Sequence, residues 1–115
     1  MIYQLAIQLR NNNEYVISNQ VLKSGTSVGA NISEAQYAQS KADFVSKLSI
    51  SLKEAREAKY WVQFIEQNQI LNSFDFDAIK QLNRKIISCL FASIKTTKTN
   101  IAREKCINEN DNSLI

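Results

Sequence analysis

Ser24-Gly25-Thr26-Ser27-Val28-Gly29-Ala30-Asn31-Ile32-Ser33-Glu34-Ala35 holds both glycines of the chain, four residues apart, among almost only small side chains. Helix-forming sequence flanks it, and the protein has no proline. Residues i and i+4 share one face of a helix. Two glycines there leave a face without side chains, onto which another backbone can close. Each glycine lowers helix propensity by about 1 kcal/mol relative to alanine, which packing must offset. A phosphate loop fits poorly. A Walker-type loop carries Lys and then Ser or Thr after its last glycine, whereas Ala30 and Asn31 follow Gly29. A dinucleotide fingerprint needs three glycines after a strand. The stretch is therefore expected to be a helix-packing motif built on Gly25, Ser27, Gly29, Asn31 and Glu34, with Glu34 and Asn31 as candidates for a buried polar contact.

Outward from this stretch the apolar spacing is helical. Ile2, Leu5, Ala6 and Leu9 follow i, i+3, i+4, i+7, and Asn11-Asn12-Asn13 ends that run. A second helix is expected over about 14–39. Ser40 with Asp43 is spaced as an N-cap and its N3 acid, and it opens a third helix with the stripe Phe44, Leu48, Leu52, Ala55, Val62, Ile65. After a loop near 68–73, Ser73 or Asp75 can cap a fourth helix, whose stripe is Ile79, Leu82, Ile86, Leu90, Ser93, Thr97. Two glycines and no proline leave few turn makers for a β protein.

The fold class is thus all-α: an antiparallel up-and-down four-helix bundle over residues 1–107, followed by a polar, disordered tail over 108–115. One dimension does not match. The third and fourth helices read as roughly 25 residues, near 37 Å, while the first has about ten, near 15 Å. Apolar surface would stay uncovered unless other subunits bury it. Val45 on the third helix lies off its main stripe, and so do four further large residues: Trp61 and Phe64 there, Ile87 and Phe91 on the fourth. These last four are candidates for an oligomer interface. A wide core face in a monomer is the alternative.

Composition narrows the chemistry. With 115 residues the chain is one domain by size. No apolar run reaches the ~18 residues that span a membrane, and residues 1–10 lack the pattern of a signal peptide, so a cytoplasmic protein with no membrane contact is expected. The two cysteines, Cys89 and Cys106, are 17 apart and read as unpaired thiols. Histidine is absent, which removes the commonest general base and metal ligand. Glu54 and Glu57 lie among Lys53 and Arg56 as surface ion pairs would. No catalytic residue, metal site or cofactor is expected, and the protein reads as no enzyme.

The net charge of +3 is modest, but its distribution is not even. Residues 78–103 contain six basic residues and no acid. At about 100° per residue, Lys80, Arg84, Lys95 and Lys98 fall in a stripe about 60° wide, with Phe91 inside it and Ile87 at its edge. Cations interleaved with an aromatic suit a nucleic-acid backbone. A solvated lysine face covering a subunit boundary is the other reading.

The strings Gln20-x-Leu22-x-Ser24, Ser27-Val28-Gly29-Ala30-Asn31-Ile32-Ser33-Glu34-Ala35, Ser40-x-x-Asp43-Phe44, Leu48-x-Ile50, Glu57 and Tyr60-Trp61 resemble the four-helix-bundle family of 23S rRNA intervening-sequence proteins. They are also similar to its relative, the accessory variability protein of diversity-generating retroelements. The resemblance covers about residues 15–65. It departs at Gly29, where the family often has proline, at Ala35, where glycine is frequent, and at Lys53-Glu54, where a Gly-Ser pair is common. It implies a four-helix bundle assembled as a homopentameric ring and no enzyme activity. It also implies RNA or DNA, and a protein such as a reverse transcriptase, as partners. A protein-binding scaffold without nucleic-acid contact is the other function class left open.

Overall fold

A computed structural model describes residues 1–113 and contains four helices: α1 (Ile2–Asn11), α2 (Tyr15–Ala35), α3 (Lys41–Gln67) and α4 (Phe76–Ser113). Among the described residues there is no strand. The start signals lie where the sequence puts them. Asp43 N–H donates to Ser40 Oγ at 3.0 Å, and Asp43 Oδ2 accepts from Gln39 N–H at 3.3 Å. Of the two candidates for the start of α4, Asp75 caps it, accepting from Ala78 N–H at 3.1 Å. The breaks carry positive φ, 64° at Asn13 and 52° at Gln69. Asn is among the residues that most readily enter that region.

Each helix packs on its neighbour in sequence. Ser18 Oγ donates to the Ala6 carbonyl at 2.8 Å and ties α2 to α1. The buried Ser51 Oγ donates to the Val28 carbonyl, and Lys47 pairs with Glu34 at 3.1 Å, so α3 returns along α2. Lys80 on α4 pairs with Glu66 on α3 at 2.6 Å, while at the other end Lys41 pairs with Glu104. The molecule measures 69 × 22 × 16 Å.

The core has two parts. Leu5, Leu9, Val21, Val62, Ile65, Leu71 and Ile79 bury where all four helices meet. Beyond the reach of α1 a second cluster forms from Ala35, Leu48, Leu90 and Ile94, on α2, α3 and α4 alone. Three features depart from the sequence-based expectation. The inward residue of α4 is Ile94, and Ser93 is exposed, because the stripe of α4 precesses as a 3.6-residue helix drifts. Leu82 is 47 % exposed, because it faces the side that α1 is too short to cover. Finally α4 has 38 residues, about 57 Å, and overhangs the start of α3 past Glu104. The stretch 108–113, expected in a tail, continues this helix; positions 114–115 of that tail lie outside the described residues.

Candidate nucleic-acid interface

α4 positions the basic residues, and it does so on a flank beside its buried line. Arg84, Lys95 and Lys98 are exposed, Phe91 among them is 56 % exposed, and Ile87 is half-buried. Among the described residues none of these three cations has an ion-pair partner. Lys80 differs from them. Its ammonium donates to Glu66 Oε1 at 2.6 Å and is largely covered, so one cation of the expected stripe is already neutralised by a carboxylate from α3. Asn83, between Lys80 and Arg84, donates Nδ2–H to the Ala55 carbonyl at 3.1 Å, which fixes the rotation of α4 on α3.

The other flank of α4 is apolar. Leu82 and Phe91 are nine residues apart, about 180° around the helix. On the Leu82 side a groove opens between α2 and α4, with α3 beneath. A cavity of about 260 Å³ lies between Ile2, Gly25, Val28, Leu82 and Ile86, and a wider one of about 450 Å³ between Ile32, Phe44, Leu48, Cys89 and Leu90. The first lies against the N-terminal end of α1 and the second beyond it, where the short first helix leaves α2 and α4 apart. Cys89 and Cys106 are free and exposed.

The expected packing motif divides. Gly25 lies directly against Ile2 of α1: a Cβ built on it would stand 2.6 Å from Ile2 Cγ2. Gly29 is exposed, with nothing within 4 Å of such a Cβ. Ser27 and Asn31 are half-buried and serve the helix itself, Asn31 Nδ2–H donating to the Ser27 carbonyl at 2.9 Å. The buried Glu34–Asn31 contact does not form. Glu34 is exposed and reaches Lys47 of α3 at the surface, while the Asn31 amide is already engaged by the Ser27 carbonyl of its own helix.

Of the four apolar residues expected at an interface, Trp61 packs against the protomer's own core. Its ring meets Phe64 edge-on at 5.8 Å and Tyr60 at 5.1 Å. Lys59 on α3 is not among the residues picked out from the sequence, yet the fold brings it to one pocket with Lys80 and Arg84. The only trace of it in the sequence is the i, i+4 spacing from Gln63.

The model of one family, the 23S rRNA-intervening sequence proteins, matches residues 1–92. The chain belongs to the 23S rRNA-intervening sequence protein family. No curated protein matches it. Among solved structures it is similar to a protein of unknown function from the S23 ribosomal protein family of Bacteroides thetaiotaomicron. The two share 42 % identity over 82 % of this chain and 88 % of that one, with a TM-score of 0.78. The family match ends at residue 92 of this chain, so Lys80 and Arg84 fall within it, while Lys95 and Lys98 lie beyond it on the long α4. Among the described residues no helix is long and apolar enough to cross a membrane.

Proposed function

We propose that this protein is a non-enzymatic, cytoplasmic four-helix bundle of up-and-down topology that self-associates into a ring, a homopentamer, and binds RNA or DNA electrostatically along α4. The observation that carries the binding half is the exposed row Arg84, Phe91, Lys95, Lys98, whose cations have no carboxylate partner among the described residues. Phosphates held there release condensed counterions, so affinity falls steeply with salt. Phe91 offers a ring on which a base can stack. A ring of subunits would repeat the row and convert a small charge per chain into a large field.

The two flanks of α4 support the assembly half. A ring needs two different, complementary patches on each subunit. The groove beside Leu82 is concave and the Phe91 flank stands out on the opposite side, which suits head-to-tail packing.

A gel-shift titration with single-stranded RNA and DNA at two salt concentrations tests the binding reading. Binding that is lost when Arg84, Lys95 and Lys98 are all changed to Ala supports it; equal binding by that variant refutes it. The apolar groove favours one other reading, an accessory subunit that docks a protein such as a reverse transcriptase without touching nucleic acid. Salt-insensitive complex formation with a protein partner, and no gel shift, would select it.

A further inference from the structure

The α3–α4 junction carries a second concavity, chemically unlike the apolar groove. A pocket of about 120 Å³ is lined by Lys59 and Gln63 from α3 and by Lys80, Asn83 and Arg84 from α4, with buried Val62 and Ile79 completing its wall. Lys59 and Gln63 are i, i+4 neighbours, and so are Lys80 and Arg84. The antiparallel pairing of α3 and α4 sets these two pairs around one cleft. Three cations thus meet in one concave place. Glu66 neutralises one of them, Lys80. Lys59 and Arg84 have no ion-pair partner among the described residues.

We propose that this pocket binds a dianionic phosphate group, the form carried by inorganic phosphate and by terminal phosphomonoesters. The donor set suits that group. Arg84 can present its planar fork to two oxygens, Lys59 acts as a point charge, and Gln63 adds a neutral N–H donor. Size permits it, since the space far exceeds the ~10–15 Å³ that a single water needs. Charge selects it. Two uncompensated cations match the charge of about −1.5 to −2 on a monoester at pH 7, whereas a backbone diester carries one. The apolar wall of Val62 and Ile79 reduces screening on that side. Glu66 competes with the ligand for Lys80, so removing its charge releases a third donor. The pocket shares Arg84 and Lys80 with the α4 row but depends on Lys59 and Gln63 of α3 and makes no use of Lys95 or Lys98. Changes at Lys59 on one side, and at Lys95 and Lys98 on the other, therefore separate it from nucleic-acid binding.

The test is calorimetric titration of the intact protein with inorganic phosphate at low salt, with far-UV circular dichroism to confirm that each variant is folded. One site per chain is expected. Arg84→Gln and Lys59→Gln should each weaken binding by about tenfold, as loss of a charge-assisted hydrogen bond does. Lys23→Gln, which removes a charge from an exposed position on α2, should change it by less than about twofold. Glu66→Gln should tighten it. Affinity for a phosphomonoester, titrated in the same way, should rise between pH 5 and pH 7 as it loses its second proton near pH 6; sulfate, dianionic throughout, should show no such rise.

A second arm compares 5′-phosphorylated and 5′-hydroxyl oligonucleotides of one sequence. A preference for the phosphorylated strand assigns the pocket to nucleic-acid ends, and phosphate binding without that preference assigns it to small phosphates. The proposal is overturned if no binding is seen at up to roughly 10 mM phosphate. It is equally overturned if Lys23→Gln weakens binding as much as Lys59→Gln, or if affinity is flat across that pH range. Changing Lys95 and Lys98 together tests the α4 row alone and leaves the phosphate result intact.

Discussion

Ile2 occupies the space that a side chain on residue 25 would need. A Cβ at Gly25 would lie 2.6 Å from Ile2 Cγ2 and 2.8 Å from Cγ1. The glycine therefore lets the N-terminal end of α1 close onto the middle of α2. Its low helix propensity is the penalty for that contact.

Gly25→Ala is expected to lower the melting temperature despite its better helix propensity, because the half-buried, β-branched Ile2 must move. The loss should be about 1–3 kcal/mol. Ile2→Ala removes both close γ-carbons, so Gly25→Ala placed in that background should be nearly neutral. A double-mutant cycle measured by denaturant unfolding checks this; an unchanged penalty in the Ile2→Ala background would contradict it.

Gly29→Ala should act in the opposite sense. Nothing lies within 4 Å of the new methyl, so only the helix-propensity gain remains, about 0.5–1 kcal/mol. The melting temperature of the isolated protomer should rise. If instead the mass measured by light scattering falls, Gly29 is where a neighbouring subunit's backbone closes on α2.

Ser51 is fully buried, and its hydroxyl is tied to the Val28 carbonyl across α2 and α3. Ser51→Ala should destabilise by about 1 kcal/mol, the net worth of one hydrogen bond. Ser51→Leu should destabilise by more, about 1–3 kcal/mol, because a helix–helix contact this close has no room for added carbons. Equal melting temperatures for the wild type and both variants would contradict this account.

Leu82→Glu and Phe91→Glu place a charge on opposite flanks of α4, at side chains 47 % and 56 % exposed. If the ring reading holds, each should lower the assembly mass in light scattering while far-UV circular dichroism stays helical. Mixed together, the two variants should still cap one another as small oligomers, because each keeps one intact patch. A mass unchanged in both variants would sink head-to-tail packing through these flanks.

Much of the helix layout was legible in the chain itself. Ser40 with Asp43, Asp75 ahead of Phe76, and the asparagine run at 11–13 set helix ends through hydrogen bonds spanning three or four residues. The stripes of Leu5–Leu9 and Leu48–Ile65 name their buried faces by spacing alone. Such signals are local, so a sequence contains them in full. The end of α4 was less legible, since the polar run from Asn108 has no proline or glycine to stop a helix.

What crosses between helices was decided only in three dimensions. That Glu66 takes Lys80 out of the basic row, that Lys59 joins Arg84 at one pocket, that Glu34 finds Lys47 and not Asn31, and that Ile2 fills the space at Gly25 all depend on register and rotation between helices. A rotation of one residue, about 100°, would change every one of these partners. Periodicity shows which face of each helix turns inward. The packing of one helix against the next determines which side chains meet there.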